Sequence, residues 1–433
     1  FEGGTIANST ARGDVESSSG GYVGGLVGYY DDKSGADSVV KDVSATGDVI
    51  GSGRYVGGLI GQSQTTNNDE TTITDAHAEG DVNEASGHSN NEVGGLIGEI
   101  TSAGDITDVS ARGAVRANGS EVGGLVGRLD HERNGHNNRN HPYSLTNASA
   151  TGNVTTDGKF VGGLVGRHRY AKAVTNASAD GDVTTDGNQV GGLIGKLRGG
   201  DIRDATASGN VESSSAGHVG GLIGYYSHEN GRVDSRLRNV SAAGDVTGNG
   251  RYVGGLIGRS RTTDNDETTI TDAHAEGDVT EASGRSNNEV GGLIGEITSA
   301  GDITDVSARG AVRANGSEVG GLVGRLDHER NGYRNRNHPY SLENASATGA
   351  VRTEGSYVGG LVGRHRFAKA VTNVSATGDV TAGGSYAGGL FGSSRSRTVE
   401  TASATGDVTT DGNQVGGLIG KLRGGTVTDA VAR

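Results

Sequence analysis

Aspartates recur at one position of the chain. Asp14, Asp48, Asp81, Asp182, Asp245, Asp278, Asp379 and Asp407 each follow a glycine and precede a valine. Carboxylates stacked at the spacing of neighbouring strands repel by about 0.9 kcal/mol in a water-like dielectric. Calcium, which takes oxygen ligands, would relieve that repulsion, and Asp14, Asp48, Asp81, Asp245 and Asp278 are the residues from which such a site would be assembled. Against it, Asn153, Asn210, Ala114, Ala311 and Ala350 interrupt the series, and Asp beside Gly is also an ordinary turn residue. Absence of any cofactor is the main expectation, with Ca2+ as the alternative.

A second cluster lies in the longest polar insertion, residues 130–141, which holds His131, His136 and His141. Its copy later in the chain has Tyr333 where His136 stands and keeps His328 and His338, so a three-histidine metal centre is not preserved between the copies. Loops projected from a rigid scaffold are where binding usually sits. His131, Arg133, Tyr143, His328, Arg330, Tyr333 and Tyr340 are therefore expected to contact a glycan or a surface protein, the alternative being a solvated spacer. Acidic rows follow the repeat instead of concentrating in one cleft, which argues against a hydrolase or lyase. The expectation is a chain with no catalytic residues that is not an enzyme. Sequons at Asn147, Asn176, Asn239, Asn344 and Asn373 fall at an expected corner, where the asparagine has a structural use.

These residues are carried by a repeat. Val23-Gly24-Gly25-Leu26-Val27-Gly28 returns, with small changes, at Val56, Val93, Val122, Val161, Val190, Val219, Val253, Val290, Val319, Val358, Ala387 and Val415. The spacing is most often 29 residues and reaches 39, as expected of a constant unit carrying insertions. Upstream of each copy runs a segment such as Val43-Ser44-Ala45-Thr46-Gly47-Asp48-Val49, whose period of two marks a half-buried strand. Position 45 is alanine in every copy, so the interior admits one size there. In Ile73-Thr74-Asp75-Ala76 the alternation breaks, and the Asp supplies a corner because Asx residues tolerate unusual backbone angles. Paired glycines remove Cβ atoms where the chain bends or a neighbouring backbone comes close.

The expected fold is all-β, a parallel β-solenoid (β-helix) of about 13 stacked coils. Each coil is read as three short strands: the Ile/Val-Thr-Asp corner, the Ala-x-Gly-x-Val strand and the Val-Gly-Gly-Leu-Val-Gly strand. Residues 1–433 are expected to form one continuous solenoid with an internal tandem duplication, approximately 1–200 and 201–433, and one extra coil at 371–397. Composition agrees. Gly makes up 81 of 433 residues, aromatics 4%, and Met, Cys and Trp are absent, so only a thin core of Val, Ile, Leu and Ala can be filled. The net charge of -14 disfavours nucleic acid, and no apolar run approaches the roughly 18 residues of a membrane span. Seven lysines against a surplus of acids suit a salt-rich habitat, although a GC-rich genome gives the same arginine bias.

The hexapeptide preceded by Ala-x-Gly-Asp-Val resembles the GLUG-motif repeats of secreted and cell-surface, adhesin-like proteins, and the resemblance extends over essentially the whole chain. It implies an exported, extended module for adhesion or display, located outside the cell. The His-Glu-x-x-His zinc motif of peptidases that carry such repeats is absent. The expected function is a non-enzymatic structural or adhesive segment, a stiff rod or filament subunit whose open ends associate head to tail. The alternative is an accessory or substrate-binding spacer of a larger surface hydrolase or peptidase.

Overall fold

A computed structural model describes residues 4–32, 37–65, 70–86, 90–101, 103–130, 132–133, 136–137, 143–169, 172–214, 217–228, 235–262, 267–285, 287–298, 300–328 and 340–433. The chain divides into two compact units, residues 1–209 and 210–433. The described residues contain no helix. Both units are parallel β-solenoids, and together they hold about thirteen coils with three strand-bearing faces per coil.

One coil of the first unit shows the construction. Thr71–Ala78 lies on the first face, Val82–Glu84 on the second and Glu92–Gly94 on the third, after which Ile97–Ile100 returns to the first sheet. Each strand stacks in register on the same residues of the coils before and after: Ala45, Ala78 and Ala111 form one row, Val49, Val82 and Val115 another, and Val56, Val93 and Val122 a third. The second unit repeats the scheme with Thr268–Ala275, Val279–Glu281, Glu289–Gly291 and Ile294–Thr298.

Strand boundaries differ from those expected. The hexapeptide is not one strand, because Glu92–Gly94 and Ile97–Ile100 belong to different sheets and the chain turns at Gly95-Leu96 between them. Ala-x-Gly-x-Val is likewise cut at Gly80-Asp81, whereas the Ile-Thr-Asp segment runs into Ala76 and Ala78 on one face. Inward alternation survives the bends. Ala76, Ala78 and Val82 are all buried. Corners sit where glycine or Asx permits the angle: Asp75, Asp108, Asn147 and Asn176 have φ near +50°, a left-handed conformation that Asn and Asp tolerate better than most residues.

These corner side chains form their own ladder. The Nδ2 of Asn176 donates to Oδ1 of Asn147 at 2.7 Å, and Asn147 donates to Asp108 at 2.7 Å. Asn373, Asn344 and Asp305 repeat the arrangement in the second unit. The sequon asparagines at 147, 176, 344 and 373 thus bond along the stack. The coil spanning 371–397 packs like the others, with Ala387 and Phe391 fully buried.

The second glycine of each pair has no room for a methyl group. A Cβ on Gly95 would stand 2.1 Å from the Gly124 carbonyl oxygen and 3.0 Å from the Ala111 Cβ, whereas a Cβ on Gly13 meets nothing within 4 Å. Gly95→Ala is expected to lower stability by more than about 3 kcal/mol, since backbone cannot step aside. Gly13→Ala should stay within about 0.5 kcal/mol of the parent. Denaturant unfolding of the two variants checks this, and equal effects would remove the steric account.

Candidate functional site

The bend inside the hexapeptide brings two outward columns face to face. One is the residue before each Val-Gly-Gly. In the first unit this column runs Tyr22, Tyr55, Glu92, Glu121, Phe160, Gln189 in strict register. The other follows the last glycine and runs Tyr29, Gln62, Glu99, Arg128, Arg167, Lys196. Tyr22 stacks on Tyr29 and Tyr55, with ring centroids 4.4 and 5.2 Å apart. Further along, the cationic ends of Arg167, Lys159 and Lys196 lie 5.1, 5.3 and 5.4 Å from the Phe160 ring centre, within reach of cation–π attraction.

Between these aromatic ends lies a charged box. Arg128 reaches Glu99 at 3.0 Å, Asp130 at 3.0 Å and Glu121 at 3.7 Å. Asp130, fully buried, also accepts from Arg169 at 3.1 Å, and Glu121 pairs with Arg167 at 2.7 Å. The Gln62 amide donates to Glu99 at 2.5 Å. The second unit rebuilds the box from Arg325, Glu296, Asp327 and Glu318, with Arg364 and Arg366 in supporting places, and flanks it with Arg259 over Tyr252 at 4.3 Å and Arg364 over Tyr357 at 5.1 Å.

Crowding carboxylates out of water raises their affinity for protons. Burial, reinforced by Glu99 and Glu121, pushes Glu92 up to about 8. Burial with Glu296 pushes Glu289 up to about 7. Beside the first box a groove of about 470 Å3 is lined by Arg54, Asn90, Glu92, Asn118, Ser120, Glu121, Lys159, Phe160 and Arg167 among others. An aromatic edge with amides, carboxylates and cations converging on a shallow cleft can recognise a polar ligand by hydrogen bonds and ring contact.

The repeated aspartates accept hydrogen bonds from the backbone of the next coil. Asp14 accepts the backbone N–H of Asp48 at 2.9 Å, Asp48 that of Asp81 at 2.8 Å, and Asp81 that of Ala114 at 2.8 Å. Asp245 and Asp278 act in the same way toward Asp278 and Ala311. The column is therefore a ladder of side-chain acceptors on backbone donors, which explains why Asn153 substitutes, taking the Asp182 N–H at 2.9 Å. The free oxygens of Asp81 and Asp278 meet Arg116 at 3.3 Å and Arg313 at 2.8 Å, and the hydrogen bond from Arg313 holds Asp278 below its ordinary value. Among the described residues, no three His, Asp or Glu side chains are grouped to hold a metal ion.

Of the loop residues, Tyr143, His328 and Tyr340 are interior instead of projecting. They are 2%, 0% and 3% exposed. Tyr143 donates to the Arg169 carbonyl at 3.0 Å and Tyr340 to that of Arg366 at 2.9 Å, while His328 Nδ1 lies 3.0 Å from the Ala300 carbonyl oxygen. They sit at the roots of the insertions, where they cover the first face. Arg133 is described by its backbone alone, in the antiparallel pair of Glu132–Arg133 with His136–Asn137. His131, Arg330 and Tyr333 lie outside the described residues. The sequence signal for the facing columns is the variable, charged or aromatic residue on either side of the nearly constant hexapeptide.

Comparison with known proteins agrees with the repeat. Residues 19–50, 52–83, 186–212, 249–280 and 354–381 match the GLUG motif, about a third of the chain. Those five stretches carry the hexapeptide in their course. The chain is also similar to halomucin of Haloquadratum walsbyi, 45% identical over 104 residues, which are 23% of this chain and 1% of halomucin. The chain thus corresponds to a very small part of that protein. No solved structure matches it. No helix of the described residues is long and apolar enough to cross a membrane.

The boxes and the core histidines make stability depend on pH in opposite directions. An acid whose folded value is raised binds protons more tightly when folded, so stability falls as pH rises from about 4.5 to about 8 through Glu92 and to about 7 through Glu289. His168 and His365, depressed by burial to about 3, act the other way, and their contribution is lost as pH falls from about 6.5 to about 3. Thermal unfolding from pH 3 to 9 is expected to show a broad optimum between roughly pH 4.5 and 6.5, where the two trends offset. Combined Glu92→Gln and Glu289→Gln replacement should raise stability at pH 8.5 on the order of 2 kcal/mol and flatten the alkaline limb. An unchanged alkaline limb would show that these two groups do not set it.

Proposed function

We propose that this chain is a non-catalytic structural and adhesive segment of an extracellular surface protein. The observation that carries the reading is the division of labour along each coil. The inward alanine row through Ala45 and the valine rows through Val49 and Val56 hardly change from coil to coil, while the outward columns and the insertions vary in size and charge. A scaffold that holds its frame constant and varies its outer face is built for display. GLUG repeats and the similarity to halomucin support placement at the cell surface, and the surplus of acids with few lysines suits the same setting.

Self-association through strand edges is part of this proposal. Among the described residues Thr5–Ala11 pairs only with Ser38–Ala45 and Thr426–Ala432 only with Phe391–Thr405. Val415, Leu422 and Val431 are exposed in the final coil. Unpaired backbone of this kind accepts another strand, either from further chain or from a second copy. The groove beside Glu92 and Phe160 favours a second reading, in which the segment is a glycan-contacting accessory of a larger surface enzyme.

Negative-stain electron microscopy of the purified chain across protein concentration and salt tests the first reading. Unbranched fibres that lengthen with concentration are expected. Isolated particles at every concentration, together with glycan binding that depends on Phe160, would replace it with the accessory reading.

A further inference from the structure

A second cleft, in the unit of residues 210–433, differs in character from the charged groove. It has a volume of about 370 Å3 and is lined chiefly by Phe367, Arg395, Ser396, Arg397, Arg423 and Gly425. No carboxylate lines it. Arg128 and Arg325 in the facing columns are, by contrast, each matched by several acids, and the chain as a whole carries 52 acids against 38 bases. Among the described residues Arg395, Arg397 and Arg423 have no ion-pair partner. Three guanidinium groups converging on one cleft repel each other until an anion joins them.

The local backbone is shaped to make this cleft. Arg366 pairs with Arg395 and Ala368 with Ser396, so Phe367 is an extra residue bulged out of the ladder. Its φ of 64° is left-handed, uncommon for a bulky side chain and of the kind that clusters at ligand sites. Bulges re-aim side chains, and this one sets the Phe367 ring against Arg395, whose guanidinium carbon is 5.0 Å from the ring centre. A guanidinium held beside a ring keeps N–H donors that can make a two-point contact with an oxyanion. A Cβ on Gly425, where φ is 92°, would stand 2.1 Å from the Ser396 carbonyl oxygen, so glycine there keeps the adjoining strands close.

The cleft is specific to the later half of the sequence. In the first unit Arg169 pairs directly with Arg198, and Arg198-Gly199-Gly200 is the sequence copy of Arg423-Gly424-Gly425. Residues 371–397 interpose a coil that the first half lacks, and that coil supplies Arg395 and Arg397.

We propose that this cleft binds an acidic sugar through its oxyanion, a carboxylate or a sulfate ester held by Arg395, Arg397 and Arg423. Its volume accommodates a monosaccharide, and the chain's net charge of -14 favours a ligand with one acidic group over a dense polyanion. The cleft is separate from the groove beside Phe160, and binding by the single chain does not require fibre formation, so the two readings fail separately.

Titration calorimetry of the full chain at low salt with glucuronate, glucose 6-sulfate, glucose and inorganic sulfate tests it. The two acidic sugars are expected to bind, glucose not to bind, and sulfate to bind at least tenfold more weakly than the better acidic sugar. Arg397→Ser with Arg423→Ser, both exposed positions, should weaken acidic-sugar binding at least tenfold while leaving the circular dichroism spectrum unchanged. Arg236→Ser, exposed and remote in sequence, should bind as the parent does. Absence of binding by both acidic sugars, equal binding of glucose or sulfate, or full affinity in the well-folded double variant overturns the proposal.

Discussion

The structure depends on one close approach. The second glycine of each hexapeptide faces the inward alanine of the next coil, as Gly25 does Ala45, Gly58 does Ala78 and Gly221 does Ala242, with only 2.9–3.1 Å between a virtual glycine Cβ and the alanine methyl. Adding even one carbon on the glycine side meets backbone first. Alanine fixes the thickness of the interior and glycine allows the wall to come that near. Because the contact recurs along each unit, the inward rows keep their spacing from coil to coil, and the parallel strands stay in register apart from local shifts such as that at Phe367. The thin core of Val, Ile, Leu and Ala follows from this dimension.

Once the hexapeptide must bend at its glycines, the residues on either side of it are forced to face each other outside the core. That is the origin of the charged and aromatic columns. Crowding there removes carboxylates from water, and the arginines that accompany them offset the cost only partly. Glu92 and Glu289 consequently hold their protons well above the ordinary carboxylate range, whereas Asp278, half-buried and bonded to Arg313, is shifted the other way. Acidic residues of similar type thus play different parts according to which side of a corner they occupy.

A surface segment of this design can change its outer chemistry without touching its frame. In the first unit the facing columns pass from tyrosine pairs through the charged box to a phenylalanine ringed by cations. In the second they pass from a histidine and tyrosines through the same box to two further tyrosines. The coil at 371–397 sets Arg395 and Arg397 beside the bulge at Phe367 of the preceding coil, while its inward Val380, Ala387 and Leu390 remain buried like their counterparts.

The sequence by itself determined the solenoid, the number of coils, the inward rows and the left-handed Asx corners. Each of those is enforced by local chemistry, since period two, an unvarying alanine and an Asp or Asn at a break in alternation have few other uses. It also carried the reason for the Asp/Asn interchange at Asp48, though not the backbone amide one coil away that the side chain accepts. The tertiary structure decided where strands begin and end, because only stacking shows that Gly95-Leu96 and Gly80-Asp81 are corners and not strand interiors. It also decided that Tyr143, His328 and Tyr340 are buried. The charged box is another such decision: Arg128 meets Glu99, Glu121 and Asp130 because residues from neighbouring coils are brought to one corner, and no spacing along a single coil announces a contact made between coils.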